Sequence, residues 1–508
     1  MNSAALRTLL IYAVVLPLAV FIGWTAVDLA NWDRTSFATF VAILFVLLLP
    51  ILLKWHYPAM LFSWNTGITI FFLPGTPGLW MLLAGMNFGI AVLNRIIQKR
   101  QVFFSVPPVT MSLLFFLATV VITAKLRGGM GVQALGGGAM GGRGYYYIIA
   151  AVLGYFALAS QPIPMEKAKL YIGLFFLPGL IGMVSHLVYF AGPAFYFLFL
   201  LIPVGYAAVQ ASTEGTGMAR MAGFWAAATS ITFYFAALYG IRGILQKWWR
   251  VLLIVIFVGL GTLSGFRSNL LMLALILAIL FAVEGLFRSL IFPIVLVCGA
   301  LVFAGLFTFS LQLPYSVQRT FSFLPIKINP GVRADADASV EWRLYMWRAL
   351  VPHLPDYFWL GKGYAINPTD MYLAQQAGLR GRGDTRDAVI VTGDYHSGPL
   401  SVYIPFGFFG SLAFLCFLGT SLRALYLNSH HGVAELRNIN RFLFAFFFGK
   451  AIFFFVVFGS IASDLYQFTG IIGLSVALNR GVARAPAGAS TRPVPLKRPF
   501  GQQALPAA

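Results

Sequence analysis

Residues 394–415 read DYHSGPLSVYIPFGFFGSLAFL, a short polar opening that leads straight into an apolar run. No charged residue follows Asp394 within this stretch. A helix needs roughly 20 mainly apolar residues to cross the hydrocarbon core of a bilayer. The stretch therefore predicts a membrane helix that begins beside His396, and it raises the question of what a histidine does there.

Composition extends this prediction to the whole chain. Hydrophobic residues make up 59% of the 508 positions and charged residues 10%, whereas about 25% of residues are charged in a typical soluble domain. Backbone groups in lipid must pair within the chain, and the apolar runs are longer than the strands of a membrane barrel. We predict an all-α integral membrane protein, a polytopic bundle of about 12–14 transmembrane helices with one large, partly helical extracytoplasmic loop. Fifteen candidate runs support this: 8–27, 36–53, 58–74, 78–94, 109–125, 145–160, 168–188, 193–209, 219–240, 249–264, 269–285, 289–309, 399–422, 442–461 and 466–480.

The net charge of +20 is concentrated in short connections and in the tail. Basic clusters at 94–100, 241–250 and 423–441 follow the positive-inside rule, which predicts that these connections face the cytoplasm. The expected partner is the lipid bilayer and not nucleic acid. The predicted division is 1–240 for N-terminal membrane helices, 241–310 for helices around a break at Arg267, 311–398 for the extracytoplasmic loop, 399–480 for C-terminal helices, and 481–508 for a disordered basic tail.

One detail of this topology remains open at this stage. Counting helices from the two ends disagrees between 101 and 241, so one run there is expected not to cross; 145–160 and 193–209 are the weakest. Cys298 and Cys416 both fall in apolar runs, where we expect them to pack as small hydrophobic side chains.

Three residues at the extracytoplasmic face are candidates for chemistry. Arg267 interrupts two apolar runs in GTLSGFRSN, Arg343 lies in VEWRLYMWRAL, and His396 opens the helix described above. Each has an ordinary alternative: an arginine that reaches lipid phosphates, an ion pair with Glu341 or Asp337, and a solvated or capping histidine. Together, two guanidinium groups and an imidazole are suited to hold a diphosphate and exchange a proton.

Other polar features are weaker candidates. Lys450 lies within an apolar run and is expected to face the bundle interior, paired with Glu284 or a lipid phosphate. The pair Asp335 and Asp337 could bind a divalent cation, although a solvated turn is the simpler interpretation. The glycines of 136–142 match a dinucleotide-binding spacing, but that motif has meaning only between a strand and a helix.

The order of these motifs resembles the domain shared by O-antigen ligases and related O-antigen and exopolysaccharide polymerases. The resemblance covers roughly residues 255–425 and rests on the serine-arginine break, on SVEWRLYMWRALVPHLPDYFWLGKGYAI, and on YHSGPLSVYIPFGFFGSLAFL. It implies a bacterial inner-membrane glycosyltransferase that moves a glycan from undecaprenyl diphosphate to an acceptor sugar or lipid A core on the extracytoplasmic face, with inversion and without metal or cofactor.

The same resemblance assigns roles by position. It implies that Arg267, Arg343 and His396 are catalytic, and we expect Arg348, Tyr395 and Lys450 to contact substrate. Ligase and polymerase activities are not separated by these residues. Two rival classes remain: a transporter of lipid-linked oligosaccharides, and a non-catalytic assembly protein of the cell envelope.

Overall fold

The computed structural model describes residues 53–71, 73, 75–98, 106–131, 142–203, 220–366 and 395–484. The chain divides into two compact units, Met1–Leu61 and Phe62–Ala508. The described part of the first unit, residues 53–61, is helical. The second unit is helical throughout its described ranges apart from connections and one isolated bridge between Thr69 and Gly78.

Fourteen α-helices of the second unit are numbered here in chain order. They are α1 Leu79–Gln98, α2 Pro107–Arg127, α3 Arg143–Ala159, α4 Ala168–Phe176, α5 Ile181–Ala191, α6 Ala222–Leu245, α7 Trp248–Thr262, α8 Arg267–Val283, α9 Ile291–Phe309, α10 Tyr315–Thr320, α11 Pro330–Leu350, α12 Gly398–His431, α13 Arg437–Val456 and α14 Ile461–Asn479. Short 3₁₀ segments join several of them, including Leu177–Leu180, Pro193–Leu200 and Val351–Tyr357.

Eight helical stretches in the described ranges are long and apolar enough to cross a membrane. Two shorter apolar helices, α7 and α8, flank the predicted break at Arg267. The prediction of an all-α, multi-pass membrane protein is confirmed. The runs 8–27 and 36–52, the glycines of 136–141 and the tail beyond 484 lie outside the described residues.

The two runs singled out as weak membrane candidates have different structures. Residues Arg143–Ala159 form a helix whose side chains are mostly buried against α1 and α14. Residues Pro193–Leu200 form a 3₁₀ segment without a buried residue. The described part of the second run, 193–203, contains no α-helix. This favours it as the run that does not cross, since a membrane helix must hydrogen-bond its own backbone over roughly 20 residues.

The expectation for the two cysteines is wrong. Cys298 and Cys416 are both free and exposed on the protein surface. Cys298 lies on α9, of which only 6% is buried against the rest of the protein. An apolar helix in a membrane can bury its side chains in lipid, so hydrophobicity alone does not predict packing against protein.

The predicted loop spans 311–398, and its part 367–394 lies outside the described residues. The described segment 311–366 forms a partly helical layer over one end of the bundle. Its main helix, α11, begins at Pro330, because Asn329 accepts a hydrogen bond from the Gly331 amide at 2.9 Å and proline is favoured in the first turn. This end, where α7 ends and α8 and α12 begin, is called the loop end below.

A turn at Leu360–Gly363 fastens this layer to a break in α12. Pro405 and Gly407 interrupt the helix, and Gly407 has a φ of 63°. The amides of Lys362 and Gly363 donate to the freed carbonyls of Ile404 and Pro405 at 2.7 and 2.9 Å. A Cβ atom on Gly361 would lie 2.3 Å from the Pro405 backbone, so the turn requires glycine there. Gly361 in the turn and Gly407 in the break of α12 therefore have structural roles.

Candidate functional site

Arg267 is the first residue of α8 and lies at the loop end. The connection 263–266 from α7 is short, and Gly265 within it has a φ of 69°, a conformation that glycine adopts without strain. The guanidinium group of Arg267 donates to the carbonyl of Ala336 on α11 at 2.8 Å. The break in sequence thus places this charge directly against the loop layer.

Arg319, on α10, is a residue that sequence reasoning missed. Its side chain is 4% exposed and donates to the carbonyl of Gly265, to the carboxylate of Asp335 and to the hydroxyl of Ser339. It therefore ties the α7–α8 break to α11. A guanidinium group has several donors in one rigid plane, so an arginine that donates to three partners holds them in fixed positions relative to one another and to its charge. A signal was available in the sequence, a lone arginine in the short polar stretch YSVQRT.

The pair Asp335 and Asp337 forms neither a turn nor a joint cation site. Both lie on α11, and residues two apart on a helix point to different faces. Asp335 accepts hydrogen bonds from Arg220 at 3.3 Å and from Arg319, whereas Asp337 is exposed. The prediction of a solvated turn is wrong because Asn329 starts the helix before these residues.

Arg343 lies one layer further along α11 and is half-buried. The alternative of an ion pair with Glu341 or Asp337 is not realised, although all three residues are described. Burial, and then repulsion by Arg267 and Arg319, lowers the pKa of Arg343 below its usual range. Among the described residues, positive charge at this point thus exceeds negative charge.

The pKa of Arg220, just before α6, is also lowered. Burial and repulsion by Arg319 lower its pKa, and the carboxylate of Asp335 opposes this shift. The term arginine cluster is used below for Arg220, Arg267, Arg319, Arg333 and Arg343. In the described part of the chain, the carboxylates that interact with these five cations are Asp335 and Asp337. Such an excess of guanidinium groups favours an anion, above all one with several oxygens.

His396 is brought to the edge of the arginine cluster by an aromatic side chain. Phe458, in the connection between α13 and α14, has its ring centroid 5.2 Å from the His396 ring and 5.8 Å from the guanidinium carbon of Arg343. Trp342 of α11 packs on His396 at 4.8 Å. The backbone of His396 has a φ of 48°, which is uncommon for a residue with a Cβ atom and is found at functional sites.

The residues expected to contact substrate are dispersed. The ring of Tyr395 is buried with Met346, Leu350 and Ile404, and its carbonyl accepts a hydrogen bond from Trp347 Nε1 at 3.1 Å. Arg348 is exposed on α11. The structure thus gives Tyr395 a packing role next to His396. Arg348 does not lie on the buried face of α11 that carries Arg343.

Lys450 faces the bundle interior as predicted, but its predicted partner is wrong. Lys450 Nζ pairs with Asp464 Oδ1 of α14 at 2.8 Å, and both side chains are almost fully buried. Glu284 instead accepts hydrogen bonds from the amides of Ile241 and Arg242, because α6 breaks at Gly240 and leaves these donors without a helical partner.

The geometry joins three predicted residues from distant parts of the sequence. Arg267 comes from α8, Arg343 from α11 and His396 from the start of α12. Arginine forks and an imidazole at one end of a membrane bundle can bind a phosphorylated ligand and stabilise negative charge that develops on it. Phosphate recognition coupled to proton exchange is therefore the chemistry that the arrangement suits best.

Comparison with known families points in the same direction. Residues 250–415 match the family model described as O-antigen ligase. The matched segment includes Arg267, Arg319, Arg343 and His396, and it confirms the resemblance that the motifs indicated. No curated protein matches the chain at a significant level.

Proposed function

We propose that this protein is a glycosyltransferase of polysaccharide assembly, which takes a glycan from undecaprenyl diphosphate and transfers it to an acceptor sugar. The observation that carries the proposal is the excess of arginine over carboxylate among the described residues of the loop end, beside His396, inside the segment that matches the O-antigen ligase family. A ligase or polymerase role in polysaccharide assembly agrees with that family.

Arg267 and Arg343 would bind the diphosphate of the donor. In the transfer, the acceptor hydroxyl oxygen forms a bond to the anomeric carbon while the bond from that carbon to the diphosphate oxygen breaks. The electron pair stays on the diphosphate, so negative charge increases there as the bond opens. Guanidinium groups already held in place by the loop layer stabilise this charge without reorganisation. Attack opposite the leaving group inverts the configuration at the carbon, and no metal is needed for these steps.

Arg319 would act as a positioning residue. Its donors are already used by Gly265, Asp335 and Ser339, so its role is to hold Arg267 and α11 together. His396 would either accept the proton of the acceptor hydroxyl or hydrogen-bond the diphosphate, in which case that proton passes to an oxygen of the leaving diphosphate. Both roles are compatible with its place beside Arg343.

The bacterial inner membrane is the proposed location, with the loop end on the extracytoplasmic face. The positive-inside distribution supports this orientation, since the basic connections 241–250 and 423–441 join helices at the end opposite to the loop end. The proposed partners are the lipid-linked glycan donor, a glycan or lipid A core acceptor, and the bilayer.

The test is glycan transfer in proteoliposomes containing the full chain, an undecaprenyl-diphosphate-linked donor and EDTA. We expect wild type to transfer, and Arg267→Ala and Arg343→Ala to lose about 100-fold or more in rate, as when preorganised donors to a developing oxyanion are removed. Arg288→Ala is the matched control, because it removes an exposed arginine just beyond the opposite end of α8.

His396→Ala and His396→Gln separate the two roles of the histidine. If His396 accepts the proton, both variants lose rate and the pH dependence of kcat disappears; if it only hydrogen-bonds the diphosphate, His396→Gln retains most of the rate. Movement of intact donor across the bilayer without transfer would instead establish the transporter alternative. Full transfer by all the arginine variants would contradict the proposed site.

A further inference from the structure

A second site-like feature lies in the membrane part of the bundle, directly next to the arginine cluster. It is a cavity of ≈ 350 Å³ lined by α4, α6, α8, α13 and α14 and by Trp64 and Asn65. Two residues connect it with the proposed catalytic site. Phe458 lines the cavity and also contacts His396 and Arg343, and Asn269 lines it from the same turn of α8 that carries Arg267.

The lining of this cavity is unusually polar for the interior of a membrane bundle. Besides the Lys450–Asp464 pair it includes the amides of Asn65, Asn269 and Gln467. The Nε1 atom of Trp225, another lining residue, is fully buried and donates no hydrogen bond within the described part of the chain. A buried donor without a partner costs about 1–3 kcal/mol, so a cavity that keeps one is suited to a ligand with hydrogen-bonding groups.

The distribution of lining residues is also asymmetric. Asn269, Asp464 and Gln467 are within the first two turns of their helices, near the loop end. Deeper in the membrane the walls include the apolar side chains of Phe233, Phe446 and Ile471. A ligand that enters from the loop end would therefore meet amides and an indole N–H first and an aromatic floor below.

Charge distinguishes this cavity from the arginine cluster above it. The one basic lining residue, Lys450, is already neutralised by Asp464 at 2.8 Å. No charge is therefore left over for a phosphate or a carboxylate. Side-chain amides and a tryptophan, with aromatic rings beside them, are the groups that bind the hydroxyls and the apolar face of an uncharged sugar.

We propose that this cavity binds one uncharged sugar ring, a hexose or an N-acetylhexosamine, next to the diphosphate held by the arginine cluster. The volume is near the lower end of the about 300–1,000 Å³ range of small-ligand sites, which suits a single ring. The assignment rests on the proposed function in naming a sugar of the transfer reaction. That sugar is either the ring attached to the donor diphosphate or the ring that carries the acceptor hydroxyl, and both offer the same hydroxyl chemistry.

The direct test is saturation-transfer NMR on the full chain in nanodiscs. The probes are the methyl glycosides of glucose, galactose, mannose, rhamnose, N-acetylglucosamine, N-acetylgalactosamine and glucuronic acid. We expect at least one uncharged glycoside to bind with millimolar affinity, and the glucuronide to bind about tenfold more weakly or not at all. Absence of binding by all uncharged probes, or preference for the glucuronide, would overturn the proposal.

Variants show whether binding takes place in this cavity. Asn269→Leu and Gln467→Met replace amides by apolar groups of similar size, and each should weaken the bound glycoside about tenfold. Leu271→Met, on the exposed side of α8 and outside the cavity lining, is the matched control and should leave binding within about twofold. Equal binding by wild type and both amide variants would place the sugar elsewhere and refute the assignment. Thermal unfolding of each variant verifies that it is folded.

Displacement identifies the source of the sugar. Farnesyl diphosphate carrying N-acetylglucosamine should displace the glycoside if the donor ring occupies the cavity, and farnesyl diphosphate alone should not. If neither displaces it while both bind, the cavity holds the acceptor ring. If neither farnesyl compound binds at all, the proposed diphosphate site is refuted. The binding of the glycosides still tests, independently, whether the cavity binds a sugar.

Discussion

Two sets of charged side chains at the loop end differ in how their charges are compensated. The Lys450–Asp464 pair is balanced: one ammonium meets one carboxylate at 2.8 Å, and the second carboxylate oxygen accepts the Ser460 amide at 2.9 Å. The arginine cluster is unbalanced among the described residues, with Asp335 shared between Arg220 and Arg319 and no described carboxylate paired with Arg343. A balanced pair needs no ligand to be stable. An unbalanced cluster retains a repulsion that an anion would relieve, which is why we propose it as the anion site.

The largest effect should come from breaking the balanced pair. Asp464→Ala leaves the Lys450 ammonium buried without its partner, which typically costs about 3–5 kcal/mol. We expect a lower folded yield and a strongly reduced Tm in detergent. The double variant Lys450→Met/Asp464→Leu removes both charges and should recover most of the loss. A double variant no more stable than the single one would show that the pair does more than neutralise itself.

Adding an anion tests the unbalanced arginine cluster. Farnesyl diphosphate at 100 times its Kd is expected to stabilise wild type by about 2.7 kcal/mol, the value set by mass action for a ligand of the folded state. In Arg343→Gln the same concentration should give clearly less, since the affinity falls. Arg288→Ala should respond as wild type. The measurement is the ligand-dependent rise in Tm, and equal rises in Arg343→Gln and wild type would argue against the cluster as the anion site.

Arg319 tests whether one member of the cluster acts structurally. Arg319→Met removes donors from the Gly265 carbonyl and from Ser339, and it should destabilise the protein by about 2 kcal/mol, the usual cost of buried groups left unpaired. Added farnesyl diphosphate should still stabilise this variant if Arg267 and Arg343 remain near their positions. A variant as stable as wild type would remove Arg319 from the positioning role.

The smallest effect concerns the protein without ligand. Burial, Arg267 and Arg319 lower the pKa of Arg343, so its charged form is less favourable in the folded than in the unfolded state. The charge therefore destabilises the fold at every pH below that lowered pKa, which includes the physiological range. Arg343→Gln should raise the Tm by about 1–3 °C, equally at pH 6 and pH 9. A decrease would mean that Arg343 makes a stabilising contact within the loop layer.

Much of the fold follows from local composition. Apolar runs of helix length predicted helices at α2, α6, α9, α12, α13 and α14, and the short polar interruption GTLSGFRSN predicted the break before Arg267. The loop was also predicted to be partly helical, and α11 is the main helix of its described part. Such predictions succeed because a backbone in lipid has few alternatives to the helix.

Local composition could not give the partners of the charged residues. Lys450 was expected to meet Glu284, yet it pairs with Asp464, fourteen residues away along the chain. Arg319 stands out in the sequence as a lone arginine in YSVQRT, but its burial and its partners depend on the packing of α10 against α11 and the α7–α8 connection. The apolar sequence around Cys298 predicted packing against protein, whereas α9 exposes nearly all of its surface.

The sequence by itself determined that this is a multi-pass helical membrane protein, and its ordered motifs indicated an O-antigen ligase domain, because hydrophobic length and motif spacing are local properties of the chain. Only the tertiary structure decided which charges are balanced. Whether a buried arginine or lysine has a carboxylate within reach depends on which helices become neighbours, and packing brings together residues such as Gly265, Arg319 and Asp335 from separate segments.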